Sequence, residues 1–129
     1  MSEFAAWLDR YGEAWETRDP DRAAALFTAD ATYHRTPFEA VEGRPAIRDY
    51  WADATSGQRD VSVETTVVAD PPDGPAVGRF VAEYDVIEEG GDGNGRESVR
   101  HTTLDGTCLV TLDGDRCRVF REWWHKRTE

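Results

Sequence analysis

From Glu3 to Thr17 the apolar residues Phe4, Trp7, Leu8, Tyr11, Ala14 and Trp15 recur in steps of three and four, with Asp9, Arg10, Glu13 and Glu16 on the other side. That spacing predicts an amphipathic helix with one stripe turned to a core. In Arg18-Asp19-Pro20-Asp21 one helix stops and a second starts. Asp19 suits an N-cap, Pro20 stands where a missing N–H costs nothing, and Asp21 favours the positive end of the helix dipole. The second helix is expected over Arg22 to Phe27, and Ala31 to Arg35 reads as a brief strand stopped by Thr36-Pro37. Gly43-Arg44-Pro45 opens a third helix, with Ile47, Tyr50, Trp51 and Ala54 as its stripe and Gly57 beyond its end.

After Asp60 the period changes to two. Val61 to Val68 is a predicted strand closed by Pro71-Pro72-Asp73-Gly74-Pro75, and Ala76 to Ile87 is the next. Residues 90–95 form a glycine cluster whose Asn94-Gly95 signals a hairpin turn; it lacks the helix and Lys that a phosphate-binding loop requires. Ser98 to Leu112 is long for one strand, and Asp105-Gly106 in its middle suggests a bulge. Arg116 to Lys126 follows the Asp113-Gly114-Asp115 turn. Hairpin-linked strands of this length should form a strongly curved, mainly antiparallel β-sheet, with the three N-terminal helices packed on its concave face. This is an α+β fold. With no internal repeat and no linker, residues 1–129 are expected to be one domain.

Five Trp, four Tyr and five Phe in 129 residues exclude a disordered chain. No run approaches the roughly 18 apolar residues of a membrane span. The first residues carry no basic stretch followed by an apolar one, so a cytoplasmic location is the expectation. Fifteen basic against 26 acidic residues leave a net charge of −11, which repels nucleic acid and anionic membranes. Cys108 and Cys117 flank the 113–115 turn at an offset too large to bridge, so both are expected as reduced, apolar residues. His34, His101 and His125 are dispersed, with no H-x-H or H-x-x-E spacing; neither a metal nor another cofactor is expected.

The order of these elements, the stretch Ala24-Ala25-Leu26-Phe27-Thr28-Ala29-Asp30-Ala31-Thr32-Tyr33, the stretch Glu42-Gly43-Arg44-Pro45-Ala46-Ile47-Arg48-Asp49-Tyr50-Trp51 and the closing Val119-Phe120-Arg121-Glu122-Trp123-Trp124-His125 resemble the nuclear transport factor 2-like superfamily. Within it, the likeness is to the SnoaL-like group, which includes polyketide cyclases and relatives of ketosteroid isomerase. The resemblance covers nearly the whole chain and speaks for the fold, not for one reaction. In the isomerases a helix-one Tyr donates to an oxyanion, and Tyr11 matches it. Their Asp base corresponds to Arg35 or Thr36, neither of which is a base, and their second acid falls near Cys108. The dehydratase histidine pair is not matched by His34 and His101. The epoxide-hydrolase Arg with two Asp is not matched at Arg100, where Thr102 stands in the place of an acid.

The expected pocket gathers Tyr11, Trp15, Tyr33, Trp51, Tyr84, Arg100, Cys108, Glu122 and Trp124. Even-numbered residues of the 98–112 strand form its apolar face, which turns Arg100 inward unless the bulge resets the alternation. Glu122 is its expected partner, either as a structural ion pair or as a ligand anchor. Parity pairs Glu122 with Trp124, although Cys117 and Val119 argue for the odd face. His101 should face outward and His125 should be exposed. All five Trp are read first as core and cone-lining residues. The leading functional reading is an aromatic-lined pocket for a small hydrophobic molecule, its activity undetermined; the alternatives are a cofactor-independent acid–base enzyme of cyclase, isomerase, dehydratase or hydrolase type and a non-catalytic dimerisation or interaction module. A convex face carrying Leu109, Thr111 and aromatics of the last strand calls for a homodimer.

Overall fold

Ser2 begins the first helix by accepting the Ala5 N–H on its hydroxyl at 3.0 Å, and α1 (Glu3–Thr17) buries every residue of the expected stripe. The computed structural model describes residues 2–89 and 97–129; the expected Asn94-Gly95 turn lies outside them. Arg18 ends α1 in the left-handed region at φ 53°. Asp19 then caps α2 (Pro20–Ala24), accepting from the Asp21 and Arg22 N–H groups at 3.0 and 3.3 Å. The second helix is therefore shorter and earlier than Arg22–Phe27. Phe27 instead opens a strand, β1 (Phe27–Thr36), twice the expected length. The sequence reading also misses β2 (Glu39–Glu42), which turns back on β1 after Pro37-Phe38. Gly43, at φ 88°, leads into α3 (Arg44–Thr55), whose buried stripe is Ile47, Trp51 and Thr55, with Ala54 exposed.

The remaining strands are β3 (Gln58–Ala69), β4 (Ala76–Glu89), β5 (Glu97–Asp113) and β6 (Arg116–Thr128). Among the described residues the six strands form one sheet in the order β2-β1-β6-β5-β4-β3. Its pairs are antiparallel except one: β1 runs parallel to β6, so the sheet is mixed. A parallel neighbour requires a crossover, and here all of β2, α3 and β3–β5 intervene between the two strands.

The expected bulge at Asp105-Gly106 is not there, since both neighbours of β5 stay in register through it. A strand glycine marks either a bulge or a close approach, and this one is the second. A Cβ on Gly106 would lie 2.5 Å from Cζ of Phe80, its cross-strand partner. The real irregularity is on β6, where Val119 faces Thr111 but Cys117 faces Leu112, leaving Arg118 as the extra residue. That bulge reverses the alternation, so Cys117 is buried on the odd side while Phe120 and Glu122 are buried on the even side. On β5 the even residues from Thr102 to Val110 are all buried, and α1 packs against the neighbouring strands β3 and β4, with Phe4 and Leu8 beside Gly78. Both cysteines are free and buried. Among the described residues no helix is long and apolar enough to cross a membrane.

Candidate functional site

A cavity of about 180 Å³ lies between the helices and the even face of the sheet. Helix α1 supplies Tyr11 and Trp15, one turn apart, and α3 supplies Tyr50, Trp51 and Thr55. Gln58 lies at the start of β3, and Phe80 and Tyr84 come from β4. Tyr33 of β1 and Glu122 of β6 bring the polar end, with Trp124 and Lys126 further along β6. Trp51 meets Tyr11 and Trp15 edge-on, at 85° and 84°, with ring centres 5.7 and 5.8 Å apart. Such edge-to-face packing holds three flat walls rigidly.

Glu122 is the buried acid of this wall, 6% exposed. Tyr33 donates its hydroxyl to Glu122 Oε2 at 3.0 Å. Tyr33 is held in turn by stacking on Phe120, its cross-strand partner on β6, at 4.6 Å. Burial pushes the Glu122 carboxyl up from 4.5 to about 7, and the Tyr33 and Trp124 donors only partly oppose it. Burial, followed by the charge of Glu122, pushes the hydroxyls of Tyr11 and Tyr33 well above 10, so both remain proton donors. Tyr50 is raised to about 12 by the same two causes. The site thus holds one carboxyl that titrates near neutrality among phenols that stay protonated.

Three buried tryptophans approach this face of the sheet, and their indole N–H groups fare differently. Trp7 donates to the Leu26 carbonyl at 2.9 Å, and Trp15 to Gln58 Oε1 at 2.8 Å. The Trp51 Nε1 is buried and has no hydrogen-bond partner among the described residues. One turn further along α3, Thr55 donates its hydroxyl to the Trp51 carbonyl at 2.7 Å.

Of the nine expected pocket residues, Tyr11, Trp15, Tyr33, Trp51, Tyr84, Glu122 and Trp124 line the cavity. Arg100 does not. Its parity is even as expected, but it stands opposite Val86, past the helix-covered part of the sheet, and is exposed. Glu122 lies across from Cys108, eight residues further along β5, on the order of 25 Å away. The expected Arg100–Glu122 ion pair is therefore not formed, and Tyr33 is the partner of Glu122 instead. Cys108 also falls outside the cavity wall; it is buried in the core, where desolvation pushes its thiol up to about 12. Trp123 corrects the reading of all five Trp as core or lining, since it is 46% exposed on the opposite face. His101 is exposed beside Asp85 and Glu83, at 3.1 and 3.5 Å, His125 is exposed, and His34 is half-buried on β1. Among the described residues no three His, Cys, Asp or Glu side chains group as metal ligands.

Sequence reasoning missed Gln58 and Thr55 as wall residues. Gln58 had a signal: a buried Trp15 indole needs an acceptor, and Gln58 is a polar residue just beyond the third helix. Thr55 had none, because Ala54 fits the helical stripe equally well.

The SnoaL-like domain model matches residues 8–120. The chain belongs to the SnoaL-like domain family. This SnoaL-like chain is similar in structure to the epoxide hydrolase/cyclase-like enzyme SalBIII, described in pyran ring formation in the polyether salinomycin, at 19% identity and a TM-score of 0.72, over 94% of this chain and 89% of that one. It is similar to a Catenulispora acidiphila protein of ketosteroid isomerase-like fold, solved with trimethylamine, at 18% identity and a TM-score of 0.66, over 91% and 83% of the two chains. A computationally designed 17-OHP binder matches at 12% identity and a TM-score of 0.72, over 100% and 98%. Identities this low speak for the shared fold alone. No curated protein matches the sequence. Set on this SnoaL-like fold, the isomerase comparison gains one detail. Where that resemblance would put an acid, β5 has Cys108, and a carboxyl stands directly across the ladder at Glu122.

Proposed function

We propose that this SnoaL-like protein binds a small, mainly apolar molecule in the aromatic cavity and exchanges a proton with it through Glu122. The observation that carries this reading is one buried carboxyl, raised to about 7, on the wall of a mainly aromatic cavity. An acid–base group works best when its pKa lies near the working pH, because both protonation states are then populated. The ionised carboxyl takes a proton from an activated C–H of the ligand. The charge left on the ligand is met by phenol O–H groups held protonated by burial, among them Tyr11. The protonated carboxyl then returns the proton to the same or a neighbouring carbon, so the cycle closes without an oxidant, a reductant or a co-reactant.

Size limits the ligand. A cavity of about 180 Å³ is close to the roughly 150 Å³ that admits benzene in an engineered protein and below the roughly 300 Å³ at which drug-sized sites begin. One ring with substituents, or a compact pair of rings, matches that volume. A panel of one- and two-ring carbon acids incubated with the protein in deuterated water tests the reading. Deuterium should enter the acidic carbon at a rate that rises with pH through about 7 and then levels, and Glu122→Gln should abolish it. Binding without exchange would leave a ligand carrier; neither binding nor exchange would end the proposal.

We also propose that two copies pair across the outer face of the sheet. Trp123, 46% exposed, supports it, with the half-buried Leu109 and Thr111 on the same side. Sedimentation at micromolar concentration should give twice the 14.5 kDa chain mass.

A further inference from the structure

Among the described residues, two charged side chains line the cavity, and they stand at opposite ends of it. Glu122 is at the buried end. Lys126 is at the mouth, which is marked by the exposed lining residues Ala54, Trp124 and Lys126. Two observations put Lys126 on the cavity side of the sheet. It follows Glu122 by four residues, both of them after the β6 bulge, so strand alternation sets them on one face. Its cross-strand partner is Leu104, a buried lining residue, and directly opposed residues share a face. Lys126 is also the single lysine among 15 Lys and Arg residues. Among the described residues its ammonium makes no ion pair. Arg35, by contrast, is engaged: it pairs with Glu39 at 3.0 Å, lies 5.7 Å from the Tyr50 ring centre and does not line the cavity.

We propose that Lys126 is a specificity-determining residue that meets a carboxylate on the outer end of the ligand, so that the cavity takes small aryl carboxylates, ring inward and acid group outward. The inference rests on the cavity being a ligand site, as proposed above, and adds the group the ligand carries and the direction in which it enters. Depth decides that direction. A carboxylate carried inward would lose its water beside the buried acid Glu122, which opposes a second anion. At the mouth it stays hydrated and faces an ammonium that is exposed as well. Four residues of strand set the α-carbons of Glu122 and Lys126 about 13 Å apart, and the two side chains close part of that span. One ring with a short acid-bearing arm matches what is left, in agreement with the size of the cavity. Trp124, 42% exposed, gives the arm an apolar wall. In a protein of net charge −11 this preference is local, set by one ammonium against the overall field.

Phenylacetate and 1-naphthylacetate, each paired with its primary amide, separate charge from shape. Titration calorimetry of the full chain at low salt measures all four. Lys126→Met keeps an apolar stem and removes the charge. It should weaken both acids about threefold, the worth of an exposed ion pair, and leave both amides within about 1.5-fold. Lys126→Arg keeps a cation and should hold the acids within about twofold of the unmutated protein. The difference between the unmutated protein and Lys126→Met should close in 1 M salt, where charges are screened beyond about 3 Å. Reductive ¹³C-methylation preserves the charge and marks this one lysine side chain, whose signal should move further with each acid than with its amide. Equal weakening of acids and amides in Lys126→Met, or no weakening of the acids, overturns the role of Lys126 and leaves the ligand site standing. Binding of the amides without the acids does the same. If none of the four compounds binds, the ligand site and this inference fall together.

Discussion

Two parts of the same helix–sheet layer are built from the same residue types and arrive at different ends. Around Trp7 the space is filled. Its ring stacks near Phe4 and Tyr11, meets Phe27 at 87° and Phe120 at 42°, and spends its N–H on the Leu26 carbonyl. Two turns of α1 further on, around Trp15 and Trp51, the rings meet edge-on and border a void with a raised carboxyl on its wall, and the buried Trp51 N–H has no partner among the described residues. Tyr11 belongs to both, stacked on Trp7 on one side and set against Trp51 on the other. Complete packing with satisfied polar atoms maximises stability. Those rules lapse together within a few residues at the open end, and that contrast is what supports the ligand site proposed above.

The largest effect should come from breaking the filled end. Trp7→Ala should cost about 3–5 kcal/mol in urea melts, because neighbours clamped from several sides cannot collapse into the gap. Trp51→Phe, at the open end, should cost on the order of 1 kcal/mol, since it removes a donor that has no partner to lose. Comparable losses for the two would erase the contrast.

The next effect sharpens the open end through pH. Glu122 ionises at about 7 in the fold against 4.5 ordinarily. Between those values the unfolded chain has released the proton while the folded chain still holds it, so stability falls as pH rises through this window. The loss should total on the order of 3 kcal/mol and level off above it. Other carboxylates contribute slopes of their own, so the measurement is the difference between the unmutated protein and Glu122→Gln, in which this slope should vanish. The smallest effect is a displacement: Tyr33→Phe removes a hydrogen bond that favours the ionised carboxyl, and the upper edge of the window should move to higher pH.

Much of this architecture was legible in the residues because hydrophobic period reports burial directly. The α1 stripe, the Asp19 cap and the even face of β5 all follow from spacing alone. What escaped depended on non-local facts. Leu26 to Asp30 has no clean period, and the strand there exists because β6 arrives beside it. Gly106 looked like a bulge because nothing in one strand says that Phe80 of the next lies across it. Arg118, the true bulge, carries none of the Gly or Asn signals of irregular backbone. The candidate site was legible wherever a helix stripe or strand parity aimed a ring inward. It failed at Arg100, where parity was right but the covering layer had ended, and alternation cannot tell how far a helix extends over a sheet. The idle N–H of Trp51 is invisible to any pattern, because it is defined by what is missing around it.

The one parallel pair has a consequence for how the molecule comes into being. Strand β6 follows every other element in the chain, yet it lies third in the sheet, between β1 and β5. Until it is made, a growing chain carries two separate fragments, a β1–β2 hairpin and a β3–β4–β5 meander, each with a bare edge where the other half belongs. Joining them demands contacts that span most of the sequence, which is the slow kind of folding. The same strand brings Glu122. Assembly of the sheet and arrival of its buried acid are therefore one event, and no partly synthesised chain displays the site.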